Sequence, residues 1–194
     1  MTGVRRSELL GLQWSDIDFT KHRVSIDRGL VAVGYELHES RGKTANARRS
    51  IDLDPTTITV LRGWQALQAA EYAAVGIHDQ GWVFTDADGQ PVHPHAISQT
   101  FERVARRARV PVIRLHDLRH THGTLLIKEG VPVKVVSERL GHANIAFTIE
   151  TYQHVLPGMQ GDAARTYQEL TTPGVPPAER DPVEHRENRR RNAA

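Results

Sequence analysis

The nine residues from His116 to Thr124, HDLRHTHGT, hold three histidines and an arginine. Such a stretch can serve a metal ion, a packed interior or a phosphate. His116 and His120 stand four apart, so a helix would present both imidazoles to one ion. The glutamate of an HExxH pattern is missing, however, and no third ligand follows at a recognisable spacing, so no metal is expected. The plainer reading is a set of partly buried histidines with satisfied hydrogen bonds, the commonest fate of histidine on a half-apolar helix. Phosphate chemistry needs more parts. Transferring a phosphodiester without a metal requires cations on the nonbridging oxygens, an acid for the departing hydroxyl and a nucleophile. Arginine suits the first task, because its planar fork binds two phosphate oxygens and stays charged. Arg119 follows His116 by three residues, so at a helix start the two side chains would share a face. Arg5, Lys43, His142 and Tyr152 complete the candidate set, spread from the first line of the sequence to residue 152. Spacing alone does not show that they converge.

The elements that would have to position them can be read along the chain. Its 194 residues, 39% of them hydrophobic, suffice for one sizeable domain with an ordinary core. The absence of cysteine excludes disulfides and thiolate metal sites and fits a reducing cytosol. With no long apolar run and no charged-then-apolar leader visible, the expectation is a cytoplasmic protein that spans no membrane. Net charge is only +2, yet Arg103, Arg106, Arg107, Arg109, Arg114 and Arg119 cluster. That is either a solvated helix surface or a basic face for an anionic partner.

Ser7 stands as an N-cap before Leu9, Leu10 and Leu12, predicting a short helix over 7–14 that starts almost at the first residue, as in a fragment. Residues 22–53 read as three strands, HRVSIDRGL, YELHES and RRSIDL, with a tight turn at Gly34 and a loop carrying Lys43 before the third. Asp54 and Pro55 open a helix whose apolar positions Ile58, Leu61, Trp64, Leu67 and Ala70 recur at helical spacing. GWVFTDADGQPVHP reads as a short strand and a turn-rich loop. Helices follow over 95–109, 117–129 and 132–140, punctuated by Gly130 and Gly141, and Asn144 caps one more containing Ile145, Ile149 and Tyr152 on a shared face. From Thr171 onward, prolines and dense charge predict a disordered tail. The fold class is therefore α+β, mainly α, with a helical domain over 1–170, a small three-stranded antiparallel sheet, and a tail over 171–194.

Four segments, in order, resemble the catalytic domain of the tyrosine recombinase (phage integrase) family. TGVRRSELLGLQWSDID is similar to that family's first-arginine box and places its catalytic arginine at Arg5. RGKTANARRSIDL resembles the hairpin with the catalytic lysine, at Lys43. LHDLRHTHGTLL matches the HxxR box, giving His116 and Arg119. LGHANIAFTIETYQHV matches the closing box, giving His142 and the nucleophile position Tyr152, one residue further apart than in many members. By pattern alone Tyr152 is a core residue and Lys43 a solvated loop charge. The resemblance instead makes Tyr152 the group that attacks a DNA phosphate and Lys43 the acid for the 5′ oxygen. It leaves His120 near the phosphate or structural, and His122 a packing residue.

What the resemblance implies is site-specific recombination of double-stranded DNA through a 3′-phosphotyrosyl intermediate, in a tetrameric synapse of identical protomers, with no nucleotide cofactor. It also implies an N-terminal DNA-binding domain and a helix ahead of the TGVR box, neither of which this sequence shows, so the core around Leu9 and Leu12 is expected to be uncovered. DAARTYQEL, residues 162–170, fits the helix that such protomers exchange. The alternative is a non-catalytic DNA-binding remnant of a mobile-element integrase. A topoisomerase-like relaxing activity and a zinc-dependent hydrolase are more distant readings.

Overall fold

The computed structural model describes residues 2–41, 48–152 and 159–171. Lys43 and the loop around it, and the tail expected after Thr171, lie outside the described residues. The chain divides into two units, 1–155 and 156–194. In the second, the described residues form α7 (Met159–Thr171), which covers the segment expected to be helical.

The first unit begins with α1 (Arg6–Leu10). The expected N-cap, Ser7, lies inside it. The cap position is Arg5, whose backbone N–H is received by the Glu8 carboxylate at 2.8 Å, so a side chain one turn in closes the end. A 3-10 turn at Trp14–Asp16 leads to β1 (Ile17–Asp18), β2 (Arg23–Ile26), β3 (Arg28–Val33), β4 (Glu36–Arg41) and β5 (Arg49–Asp52). Pairing differs from the expected single sheet. The three-stranded sheet is β1-β2-β5, all antiparallel, while β3 and β4 form a separate hairpin turned at Gly34, φ 64°. The run HRVSIDRGL does not continue as one strand because Asp27 interrupts it. On one side Val24, opposite Ile51, and Ile26, opposite Arg49, are buried in the core, and on the other Arg28 turns back to Asp16 at 2.6 Å.

Helices follow as α2 (Pro55–Val75), α3 (Pro94–Arg107), α4 (Asp117–Lys128), α5 (Val133–Leu140) and α6 (Ile145–Tyr152). Asp54 caps α2 by accepting from the Thr57 N–H at 2.9 Å, and Asn144 caps α6 by accepting from Ala146 at 2.9 Å, both as expected. The buried stripe of α2 is Ile58, Gln68 and Tyr72, with Leu67 half exposed. Gln68 goes inside because it accepts from the Trp14 indole and donates to the Thr85 hydroxyl, so its burial leaves no polar atom orphaned. The segment expected as a strand at 82–85 makes only isolated bridges in the described residues, although Val83 is fully buried and its N–H bonds the Leu12 carbonyl.

The core gathers Leu12, Ile17, Val24, Ile26, Ile51, Leu53, Ile58 and Val83. Contrary to the expectation of an uncovered core around Leu9 and Leu12, Leu12 is buried and Leu9 is half-buried against the core, because α1 packs on β3 and Leu12 faces the sheet. Gly11 and Gly29 permit this approach: a Cβ at Gly11 would lie 2.9 Å from the Gly29 Cα. On the far side, α4, α5 and α6 pack together and α5 meets β5, which brings the ends of distant segments to one place.

Candidate active site

That place is the turn Leu140–Gly141 at the end of α5, where Gly141 at φ 69° closes the helix. Two of its carbonyls are held by guanidinium groups from opposite ends of the sequence. Arg119 donates to the Leu140 carbonyl and to the Gly3 carbonyl, each at 2.6 Å, and Arg5 donates to the Gly141 carbonyl at 2.7 Å. Arg119 is buried, and that desolvation, with Arg5 and Arg49 close by, pushes its pKa down to about 10. It remains cationic at neutral pH. Two of its five N–H donors serve the carbonyls, so the group is a fixed positive charge clamped to backbone.

His142 follows the same turn. Its Nδ1 and the Thr148 hydroxyl are 2.7 Å apart, and its ring meets Phe147 edge-on. Burial, then Arg119, Arg5 and Arg49, lower its pKa to about 4, so the imidazole is neutral. Thr148 and Tyr152 form the buried stripe of α6, while Ile145 and Ile149 are exposed, which corrects the expected Ile145–Ile149–Tyr152 face. The threonine turns inward because His142 gives its hydroxyl a partner.

Tyr152 is 2% exposed, and burial raises its phenol pKa against the opposing pull of Arg119. Its hydroxyl end rests on α4 at Gly123: a Cβ there would lie 2.6 Å from both Cζ and Oη. His120, on the same helix, stands 6.4 Å ring to ring from Tyr152 and 5.0 Å from His116. His116 is exposed at the N-cap of α4. Its neighbour is His120, and the expected shared face with Arg119 is absent because Arg119 turns inward. Burial, His120 and Arg119 lower the His116 pKa. Half-buried His122 accepts from Arg139 Nε at 3.2 Å, and burial with that cation brings its pKa down to about 4, in keeping with a packing role.

Arg5, Arg119, His142 and Tyr152 therefore meet around one turn, with His116 at the rim; Lys43 lies outside the described residues. Three contributors were not singled out from the sequence. Glu8 accepts from Arg5 at 2.7 Å and receives both ends of the Arg49 fork at 3.0 and 2.8 Å. Burial opposes its charge, but Arg49 and Arg5 prevail and its pKa falls to about 2. Arg49 also bonds the Arg139 carbonyl at 2.9 Å and packs under Gly141, tying β5 to the turn. Gly123 makes room for the phenol. Of these only Glu8 had a local signal, its three-residue spacing from Arg5. Among the described residues no three His, Asp or Glu side chains gather as metal ligands would.

The model of the Phage integrase family matches residues 1–158. The chain belongs to the phage integrase family. It is 35% identical over 183 residues to a tyrosine recombinase XerC-like protein of Caldanaerobacter subterraneus subsp. tengcongensis, covering 87% of the chain and 47% of that protein. It is 30% identical over 173 residues to the ICEBs1 integrase of Bacillus subtilis, covering 88% and 46%. The chain thus spans about half the length of these curated relatives. Its fold is similar to that of the Tn1549 transposon integrase, solved in complex with transposon right end DNA, with a TM-score of 0.70 at 24% identity over 88% of this chain and 55% of that one. The mainly helical α+β class with small antiparallel sheets is that of the integrase catalytic domain. No helix among the described residues is long and apolar enough to cross a membrane.

Proposed function

We propose that the chain carries the catalytic portion, residues 1–170, of a site-specific recombinase that cuts and rejoins double-stranded DNA. The observation that carries this reading is the convergence of Arg5, Arg119, His142 and Tyr152, from separate segments of an integrase-family chain, on the Leu140–Gly141 turn. In this reading Arg5 and Arg119 hold the nonbridging oxygens of the scissile phosphate with the donors that the backbone carbonyls leave over. Neutral His142 donates a hydrogen bond to the same group, and His116 holds it at the rim. The Tyr152 oxygen attacks phosphorus, the bond to the 5′ oxygen breaks, and Lys43 gives that oxygen its proton. The 3′-phosphotyrosyl link keeps the energy of the broken bond, so rejoining needs no nucleotide. Recombining two duplexes breaks four strands, and each protomer offers one Tyr152, which supports four copies on DNA. In this reading the protein works on its DNA in the cytoplasm.

The test is covalent capture. The purified chain and Tyr152→Phe are incubated with DNA carrying the junctions of its mobile element and stopped with detergent. The expected outcome is a protein–DNA adduct from the first and none from the second, with equal, salt-sensitive binding. Binding without an adduct from either would support the non-catalytic remnant instead.

A further inference from the structure

Resting on the recombinase reading, we infer that His120 is a further catalytic residue: it accepts the phenolic proton of Tyr152 and faces His116, through which that proton reaches the exposed rim. A buried tyrosine must lose its proton as it attacks, and the surrounding guanidinium charge stabilises the anion without removing the proton. Four imidazoles lie near. His122 accepts from Arg139 through Nε2. His142 has Nδ1 on Thr148 and its ring on Phe147. His116 stands one turn before His120, exposed at the N-cap of α4. His120 remains, and its ring is the one beside Tyr152, at 6.4 Å and tilted by 57°.

Helix geometry places the reacting atom on its side. A helical Cβ leans toward the N-terminus, so the position that a Gly123 Cβ would fill lies over the turn that contains Arg119 and His120. Tyr152 Oη stands 2.6 Å from that position. The hydroxyl end of the phenol, rather than its stem, is therefore the part nearest the His120 turn. On the other side His116 and His120 meet edge-on at 5.0 Å and 86°, an arrangement in which one ring directs an edge at its neighbour. The charged and titratable groups around His120 are His116, Asp117 and Arg119 on α4, His142 after α5 and Tyr152 on α6.

The His120 imidazole takes the proton from Tyr152 Oη, that oxygen bonds phosphorus, and the 5′ oxygen leaves with a proton from Lys43. In rejoining, a proton returns from the rim through His116 and His120 to the phenol, and Lys43 takes back the proton of the attacking 5′ hydroxyl.

The experiment compares the full chain with His120→Ala, His120→Gln and Lys43→Ala for the rate of adduct formation on junction DNA from about pH 6 to about pH 9. It is repeated with a 5′-bridging phosphorothiolate, whose leaving group needs no acid. The His120 variants are expected to bind DNA normally and to form adduct about 100-fold more slowly at neutral pH. Their rates should rise about tenfold per pH unit as phenol ionisation replaces the base. Imidazole in the buffer should restore His120→Ala, and the phosphorothiolate should rescue Lys43→Ala but neither His120 variant. An unchanged rate, a pH profile parallel to that of the unsubstituted chain, rescue by the phosphorothiolate, or lost DNA binding with no recovery in imidazole or alkali would each overturn the assignment. No adduct from the unsubstituted chain at any pH would instead remove the recombinase reading itself, and this inference with it.

Discussion

At Gly123 a missing side chain decides where the nucleophile rests. Glycine in a helix interior is less favourable than alanine by up to about 1 kcal/mol, so an unopposed Gly123→Ala would stabilise α4. Here the new methyl would meet Tyr152 Cζ and Oη at 2.6 Å and Leu140 Cδ1 at 3.2 Å. Overpacking of that kind costs about 1–3 kcal/mol, so the clash outweighs the propensity gain. Gly123→Ala should lower stability by about 1–2 kcal/mol in denaturant unfolding, while in a Tyr152→Ala background the same change should raise it. Destabilisation of equal size in both backgrounds would mean that the phenol does not occupy this slot. The sequence shows a glycine in HTHGT but not its reason, because the partner is on another helix. The residues readable from sequence were those in local boxes. Arg5, His116, Arg119, His142 and Tyr152 carry their signal in neighbours a few positions away, whereas the Arg49–Glu8 pair joins residues 41 apart.

Between elements, the turn that ends α5 bears the most constraint. Gly141 combines a left-handed backbone, φ 69°, with a position where a Cβ would lie 2.6 Å from the Arg49 guanidinium. That guanidinium cannot swing aside freely, since Glu8 holds both of its ends. Gly76 and Gly130 share the positive φ but have nothing within 4 Å. Replacing either by alanine incurs only the left-handed cost of about 1–2 kcal/mol. Gly141→Ala should cost about 1–3 kcal/mol beyond these controls and should slow adduct formation, because the Gly141 carbonyl also locates Arg5. Unfolding midpoints of the three variants would check this, and equal losses would mean that Arg49 yields. Most helix boundaries were legible because their caps are local: Asp54, Asn144, Gly130 and Gly141 stand where the pattern put them, whereas Ser7 lies inside α1 because Glu8 closes that end from Arg5. Sheet membership was not, since alternation in HRVSIDRGL fits one long strand or two short ones. The choice of two depends on Arg28 reaching Asp16 and on α1 covering β3.

Across the whole domain, the site's electrostatics should be visible as acid sensitivity. His122 and His142 titrate near 6.5 when unfolded and at about 4 when folded. Between those values the unfolded chain binds more protons, so stability falls as pH falls from about 6.5 toward 4. Glu8 acts in the next window. Its pKa drops from 4.5 to about 2 on folding, so its contribution is present above about 4.5 and is lost as pH falls toward 2. A shift of that size corresponds to about 3 kcal/mol at neutral pH, similar to the cost of breaking a buried ion pair. Glu8→Gln should therefore be about 3 kcal/mol less stable at neutral pH, and below about pH 4.5 it should lose less stability than the unsubstituted chain, since among the described residues only Asp18, Asp54 and Asp117, also held below their usual range, remain to titrate with the last of the histidine protonation. Denaturant midpoints measured over this range separate the two stages. A midpoint independent of pH from about 6.5 to 4 would mean that the two histidines are not held neutral. An acid limb of equal size below about 4.5 in both chains would place the site's acid sensitivity on other carboxylates rather than on the Arg5–Glu8–Arg49 bridge.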